Sequence, residues 1–304
     1  MGLFDFLFGK GKGKGKGATG SPKKGLKRIN LEKRFDLSAG RTGQGSMSKV
    51  FRAYDRDLGR HVCLKLLDKE KTKKFEERFA GLKKPSEGEI CMQLRHDNIV
   101  RSFEYGITTQ GEPYLVMEWV DGVGLNYLVE TRGQQIRGNR INFMCQLCDA
   151  LQYMHTNKWL HRDLCPRNVM VDKEGVLKLI DFGLTIPYTP EFCVGGNRTG
   201  TPDILAPEII KRKTTDHRVD LFALGVTGYE VFTGQLPWER SVSSEETFRR
   251  RLNAPPRVAK ELNPDVDDRL SEILLKSISR EPADRYPSAT AFKEALQKLK
   301  RQDY

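Results

Sequence analysis

Nowhere does this chain carry anything near the roughly eighteen consecutive apolar residues that a membrane span needs, so no bilayer crossing is expected. Cysteine is scarce: the six, at 63, 91, 145, 148, 165 and 193, follow no disulfide-scaffold spacing and point to a reducing, cytoplasmic setting. Acidic residues are nearly missing from the first thirty positions, where seven lysines and Arg28 face Asp5 alone, so +7 of the net +12 lies there. The rest of the chain carries little excess charge and no basic surface interleaved with aromatics, which removes specific nucleic-acid recognition from the leading readings. The order of the start, apolar before the lysines, is not the one expected of a secretory signal. Phe6 stands where the Gly2 acylation pattern requires serine or threonine.

What remains is ordinary for a soluble globular protein: 304 residues, 38% hydrophobic and 30% charged, enough for one large domain or two intimate lobes. Residues 1–30 read as a disordered basic tail with a short apolar start, since a Gly-Lys alternation buries too little surface to offset its ordering entropy. Leu3, Phe4, Leu7 and Phe8 share one face there and are followed by Lys10, Lys12, Lys14 and Lys16. That order suits peripheral contact of residues 1–28 with an anionic membrane surface, on its inner face. Residues 31–120 are mostly short strands, with one helical stretch over about 71–94, and residues 121–300 show helical periodicity. A β-rich third followed by a helical remainder implies an α+β chain of two lobes with a cleft between them.

Three stretches carry chemistry. Gly43-Gln44-Gly45, ahead of Val50, forms a turn whose backbone N–H groups could approach phosphate oxygens, although many ordinary hairpins look the same. Lys65 sits inside the apolar run Val62-Cys63-Leu64-Lys65, so it either meets an anionic partner, for which Glu87 is a candidate, or snorkels from an edge. The third is His161-Arg162-Asp163-Leu164-Cys165-Pro166-Arg167-Asn168, followed by Asp181-Phe182-Gly183. Phosphoryl transfer needs a carboxylate to orient the acceptor proton and oxygen ligands for hard cations, and Asp163, Asn168 and Asp181 are of those types.

With Ala206-Pro207-Glu208, these stretches resemble, in order and separation, the motif set of the protein kinase family. The resemblance covers roughly 35–298 and is similar to the bacterial, Hanks-type serine/threonine members. It implies the bilobal protein kinase fold, a small β-rich lobe and a larger helical one. It further implies ATP-dependent phosphorylation of protein serine and threonine, with autophosphorylation between Asp181 and Glu208. By the same resemblance Lys65, held by Glu87, binds ATP phosphates; Gly43, Gly45, Val50, Glu118 and Val120 line the nucleotide site. Asn168 and Asp181 hold Mg²⁺ or Mn²⁺, and Asp163 orients the acceptor hydroxyl. Glu89 competes with Glu87, which is preferred for its distance to His96. Asp220 is similar to the aspartate that anchors the catalytic loop, and Arg285 to the partner of Glu208.

Departures from the pattern also matter. Ser48 replaces the third loop glycine, and Cys63 an alanine. Cys165 replaces a lysine that neutralises the transferring phosphoryl group, and Arg167 is expected to supply that charge instead. Gly200-Thr201-Pro202 favours serine/threonine acceptors over tyrosine, and Thr199 is the first choice for a phosphorylated residue. Cys145 and Cys148 read as helix core rather than a metal pair. The competing reading is a catalytically weak pseudokinase acting as a membrane-tethered scaffold.

Overall fold

The computed structural model of the chain describes residues 26–38, 43–44 and 48–304, so the amino-terminal tail up to residue 25 and Gly45 lie outside the described residues. Two compact units emerge. One holds the described residues up to Lys73 with Ser102–Trp119; the other holds Lys74–Arg101 with Val120–Tyr304. No helix among the described residues is long and apolar enough to cross a membrane.

The first unit is a seven-stranded sheet, with Lys27–Ile29, Ser102–Thr108, Pro113–Glu118, Arg60–Leu67, Ser48–Asp55 and Phe35–Leu37 in spatial order and Gly43–Gln44 paired to the Ser48 strand. Alternation along Arg60–Leu67 sends Val62, Leu64 and Leu66 into a core with Phe35, Phe51, Ala53, Tyr114 and Val116. Cys63 and Lys65 take the opposite face by the same period.

Residues 27–29, expected as part of a tail reaching residue 30, are ordered in the structure. Lys27–Ile29 forms an edge strand parallel to Gly106–Thr108. Gly106 permits the approach, because a Cβ there would lie 2.4 Å from the Lys27 carbonyl oxygen. Behind the strand, the buried Arg34 guanidinium donates to Asp55 at 3.0 and 2.8 Å and to Glu104 at 2.5 Å. Tyr114 donates its hydroxyl to the same Glu104 oxygen at 2.6 Å. Burial works against the Arg34 charge, yet Asp55 and Glu104 hold its pKa above the ordinary guanidinium value. Lys27 Nζ donates to the same Glu104 carboxylate at 2.9 Å, which ties this short strand to an ionic cluster that a reading of Gly/Lys composition does not register.

The second unit is organised around the helix Arg218–Thr233, which is apolar on nearly every side and almost wholly buried. Gly225 lets the helix Asp268–Ser277 come close: a Cβ built on it would sit 2.3 Å from Ser277 Oγ. The helix Arg140–Thr156 also belongs here, with Cys148 fully buried and Cys145 partly so. A three-stranded sheet joins Leu177–Leu179, Val169–Asp172 and Gly122–Gly124.

The single helical stretch expected over 71–94 is two helices, Lys69–Glu76 and Glu87–Cys91, because Pro85 and the capping residue Ser86 restart the chain. Residues 74–101 group with the second unit through specific bonds. Val100 N–H donates to the Leu179 carbonyl at 2.9 Å, and Leu179 N–H donates back to Asn98 at 2.9 Å. The Asn98 amide donates to Leu177 O at 3.0 Å, and Arg95 N–H to the Tyr153 hydroxyl at 2.9 Å.

Candidate active site

Lys65 lies mid-strand in the first unit, 4% exposed, in register with Val50 on one side and Leu115 on the other. Gly43 is opposite Val50, and Glu118 ends its strand opposite Val62. Burial pushes the neighbouring Cys63 thiol up to about 11, against the pull of Lys65, so it stays neutral as a small apolar side chain would. Val120 opens its stretch of the second unit, its carbonyl accepting from Gly122 N–H at 3.1 Å.

The rest of the predicted constellation lies in the second unit, and it is built outward from Asp220. That carboxylate is completely buried and accepts the backbone N–H groups of His161 and Arg162, both at 2.8 Å, and lies 3.0 Å from His155 Nε2. Burial alone would raise its pKa, but these partners hold it below the ordinary carboxylate value. The three contacts hold Arg162 in the left-handed region, at φ 71°, a conformation most side chains avoid. Burial also lowers the His161 pKa, with Asp220, Asp163 and Asp181 opposing, and the neutral ring packs edge-on against Phe182 at 5.5 Å. Thr227 adds a further tie by donating its hydroxyl to the Leu164 carbonyl at 3.2 Å.

On this base sits Asp163. One of its carboxylate oxygens accepts from Thr201 N–H at 2.8 Å and the other from the Asn168 amide at 3.0 Å. The same Asn168 nitrogen donates to the Asp163 carbonyl at 2.8 Å. Ile180 N–H donates to Asn168 O at 3.0 Å, which sets Asp181 next along the chain; one Asp181 oxygen accepts from Gly183 N–H at 3.0 Å. Asp163, Asn168 and Asp181 are thus assembled by a continuous run of hydrogen bonds.

The two glutamates, Glu87 and Glu89, have different surroundings within the second unit. Glu89 accepts from the backbone and hydroxyl of Ser86, both at 2.7 Å, closing a capping box at the start of Glu87–Cys91. Glu87 faces the other way. A Cβ built on Gly183 would be 3.4 Å from its Oε2 and 3.3 Å from an Asp181 oxygen, so its carboxylate borders the Asp181-Phe182-Gly183 turn.

Cys165 is 3% exposed, and burial beside Asp163 pushes its thiol up to about 11, so it brings no positive charge to the site. Arg167 is exposed, in the short turn Pro166–Asn168.

Sequence reading missed several residues. His155, near the end of the helix Arg140–Thr156, supports Asp220. Arg78, in a lysine-rich stretch, donates to Thr199 Oγ1 at 2.7 Å, and Thr199 in turn donates to Asn197 Oδ1 at 2.5 Å. No spacing signal could have found Arg78, whereas Ser86-x-x-Glu89 is a legible capping signature, which the structure closes. The expected partner of Glu208 is found where predicted: Arg285 donates to both carboxylate oxygens at 2.7 and 2.8 Å.

Comparison with known proteins agrees with this geometry. Residues 38–298 match the family model described as protein kinase domain. Serine/threonine-protein kinase Pkn1 of Myxococcus xanthus is 33% identical over 269 residues, covering 84% of this chain and 37% of that protein. PrkC of Bacillus subtilis, a serine/threonine-protein kinase, is 30% identical over 250 residues, or 81% of this chain and 38% of its own. The probable serine/threonine-protein kinase PknB of Corynebacterium glutamicum is 32% identical over 279 residues, 88% of this chain and 42% of its own. The chain spans less than half the length of these relatives. From the matched residues and the bonds that hold Asp163, Asn168 and Asp181 together, the chain belongs to the protein kinase family.

Proposed function

We propose that the chain transfers the γ-phosphoryl group of ATP to serine and threonine hydroxyls of proteins. One observation carries this reading: the Asp163 carboxylate is aimed by Thr201 N–H on one oxygen and the Asn168 amide on the other. A carboxylate so held can accept a hydrogen bond from an incoming hydroxyl and orient its oxygen for in-line attack. Lys65 binds the ATP phosphates, with Glu87 as its orienting carboxylate, and Gly43, Gly45, Val50, Glu118 and Val120 enclose the nucleotide.

The residues present fit a hard divalent cation. The Asn168 nitrogen is used on Asp163, which leaves its amide oxygen as an acceptor, and Asp181 adds a carboxylate. No cluster of three or more His, Cys, Asp or Glu suited to a metal occurs among the described residues, so the ion would share its ligands with the nucleotide phosphates, as Mg²⁺ commonly does. When bound, it neutralises charge on the phosphates. Mg²⁺ and Mn²⁺ both suit this donor set. Arg167 supplies the charge that the neutral Cys165 thiol does not.

Thr199 is the proposed site of autophosphorylation. Its hydroxyl already receives the Arg78 guanidinium, and Arg78, Arg198 and Arg212 line a cavity of about 460 Å³ that Asn197 shares. Arg162, whose Nε is buried without a partner, donates to the Asn197 carbonyl at 3.2 Å. A phosphate on Thr199 would gain charge-assisted bonds from this group. Phosphopeptide mass spectrometry after incubation with ATP should find it there; an unmodified 185–201 segment would overturn this part. Residues 1–28 are proposed to contact an anionic membrane surface, supported by their apolar-then-basic order, with the rest of the chain in the cytoplasm.

The test is transfer from γ-labelled ATP to myelin basic protein and to the chain itself, with Mg²⁺ or Mn²⁺, beside Asp163→Asn. Label on serine or threonine that disappears in the variant supports the reading. Nucleotide binding without transfer would refute it and favour the scaffold.

A further inference from the structure

The segment between Thr199 and Glu208 is held from below by two arginines, of which only Arg285 was anticipated. The other is Arg251, on the helix Ser244–Asn253. Its neighbours Arg249 and Arg250 pair with Glu246 at the surface, at 2.8 and 2.9 Å. Arg251, by contrast, is 2% exposed. Its guanidinium lies over the rings of Trp238 and Phe222, 5.0 and 5.6 Å from their centroids. It donates to the main-chain carbonyls of Leu205 at 2.8 Å and Pro202 at 3.1 Å, and also to that of Asp203.

A buried guanidinium is costly unless its donors are used, and carbonyl oxygens with aromatic faces are a poor substitute for a carboxylate. Asp203, which favours its charge, sends its side chain to the exposed Arg240 at 3.3 Å. Burial accordingly drives the Arg251 pKa down to about 10, still well above neutrality. A leucine or methionine would fill this apolar position at lower cost. What arginine alone adds is a planar fork that fastens three carbonyls of one loop to a rigid helix.

That loop borders the reacting carboxylate. Thr201, directly before Pro202, gives its N–H to Asp163. Gly200, at φ 135°, turns the chain where a Cβ would come within 2.8 Å of the Leu205 side chain. The loop therefore reaches Asp163 at one end and is pinned by Arg251 at the other. An acceptor hydroxyl that reaches Asp163 therefore comes close to Thr201, where this loop begins.

We infer that Arg251 is a positioning residue for the protein substrate: by clamping the carbonyls of Pro202, Asp203 and Leu205 it holds the acceptor-side loop ready for docking, without touching the nucleotide. This rests on the kinase reading above. Arg251→Lys keeps the charge but loses the fork, and Arg251→Met keeps the volume but loses both. In steady-state transfer from ATP to myelin basic protein, both variants should raise the KM for the protein by about tenfold or more while leaving the KM for ATP within about twofold. The lysine variant should be the milder one, a partial rescue that general loosening of the fold would not produce. If Arg251→Met fails to fold, Arg251→Lys carries the test. Wild-type KM for myelin basic protein in a folded variant would overturn the inference, as would equal rises in both KM values. Absence of transfer by the wild-type chain would overturn the kinase reading and this inference with it.

Discussion

Replacing Asp220 by asparagine tests the claim that a buried carboxylate holds the catalytic loop in shape. The carboxylate accepts three bonds, from His161 N–H, Arg162 N–H and His155 Nε2. Asparagine offers a single acceptor oxygen, so at least one buried backbone N–H loses its partner and the others lose a charged acceptor. An unsatisfied buried donor costs about 1–3 kcal/mol, and bonds to charged groups contribute about 1.5–3 kcal/mol each, so a loss of about 3 kcal/mol is expected. For a unit of this size, about 2–4 °C of melting temperature accompanies each kcal/mol, which predicts a drop of about 6–12 °C. Turnover should fall at least about tenfold, because Arg162 is no longer held in its left-handed conformation beside Asp163.

The pH dependence has a definite sign. Asp220 titrates below the ordinary carboxylate value in the folded chain, so its contribution is fully present above about 3.9 and is lost as pH falls through the lower folded value. The gap in melting temperature between wild type and Asp220→Asn should stay level from about pH 8 to 5 and close only below about 4. Differential scanning calorimetry across that range measures it. Equal melting temperatures at neutral pH, or a gap that widens on acidification, would refute the role given to Asp220.

Three further outcomes follow from the same geometry. Arg167→Ala should lower kcat by about tenfold or more while Cys165→Ala stays within about twofold, since only the former removes a charge; the reverse order in steady-state assays would count against Arg167. Glu89→Ala should cost about 1 kcal/mol of stability from its lost cap and leave the rate unchanged, whereas Glu87→Ala should depress kcat with little effect on unfolding. Paired denaturation and kinetic measurements separate the two. Arg34→Met strands the fully buried Asp55 and should destabilise the first unit by about 3–5 kcal/mol, read as faster amide exchange across Lys27–Ile29 and Gly106–Thr108.

The parts of this molecule that are legible in its sequence are those where chemistry fixes residue type and spacing together. Asp163, Asn168 and Asp181, which the structure ties together, could be proposed in advance because proton orientation and hard-cation binding admit few alternatives, and short loops keep the residues close along the chain. The β-then-α order was legible from periodicity alone. What escaped detection depends on partners remote in sequence. Arg251 sits in the run Arg249-Arg250-Arg251, which reads as a solvated charged face. Its burial follows from Thr247 and Phe248 turning the same helix inward, and from a loop some fifty residues earlier. Lys27–Ile29 is a strand because Gly106 leaves room and Arg34 anchors it, neither of which shows in a Gly/Lys composition. His155 and Arg78 are ordinary side chains whose roles come from Asp220 and Thr199. In this fold the candidate reacting groups are local motifs, whereas the groups that hold them are dispersed polar side chains buried against backbone. Such a buried charge with no carboxylate of its own, as at Arg251, is costly enough to retain that it marks a main-chain segment whose position matters.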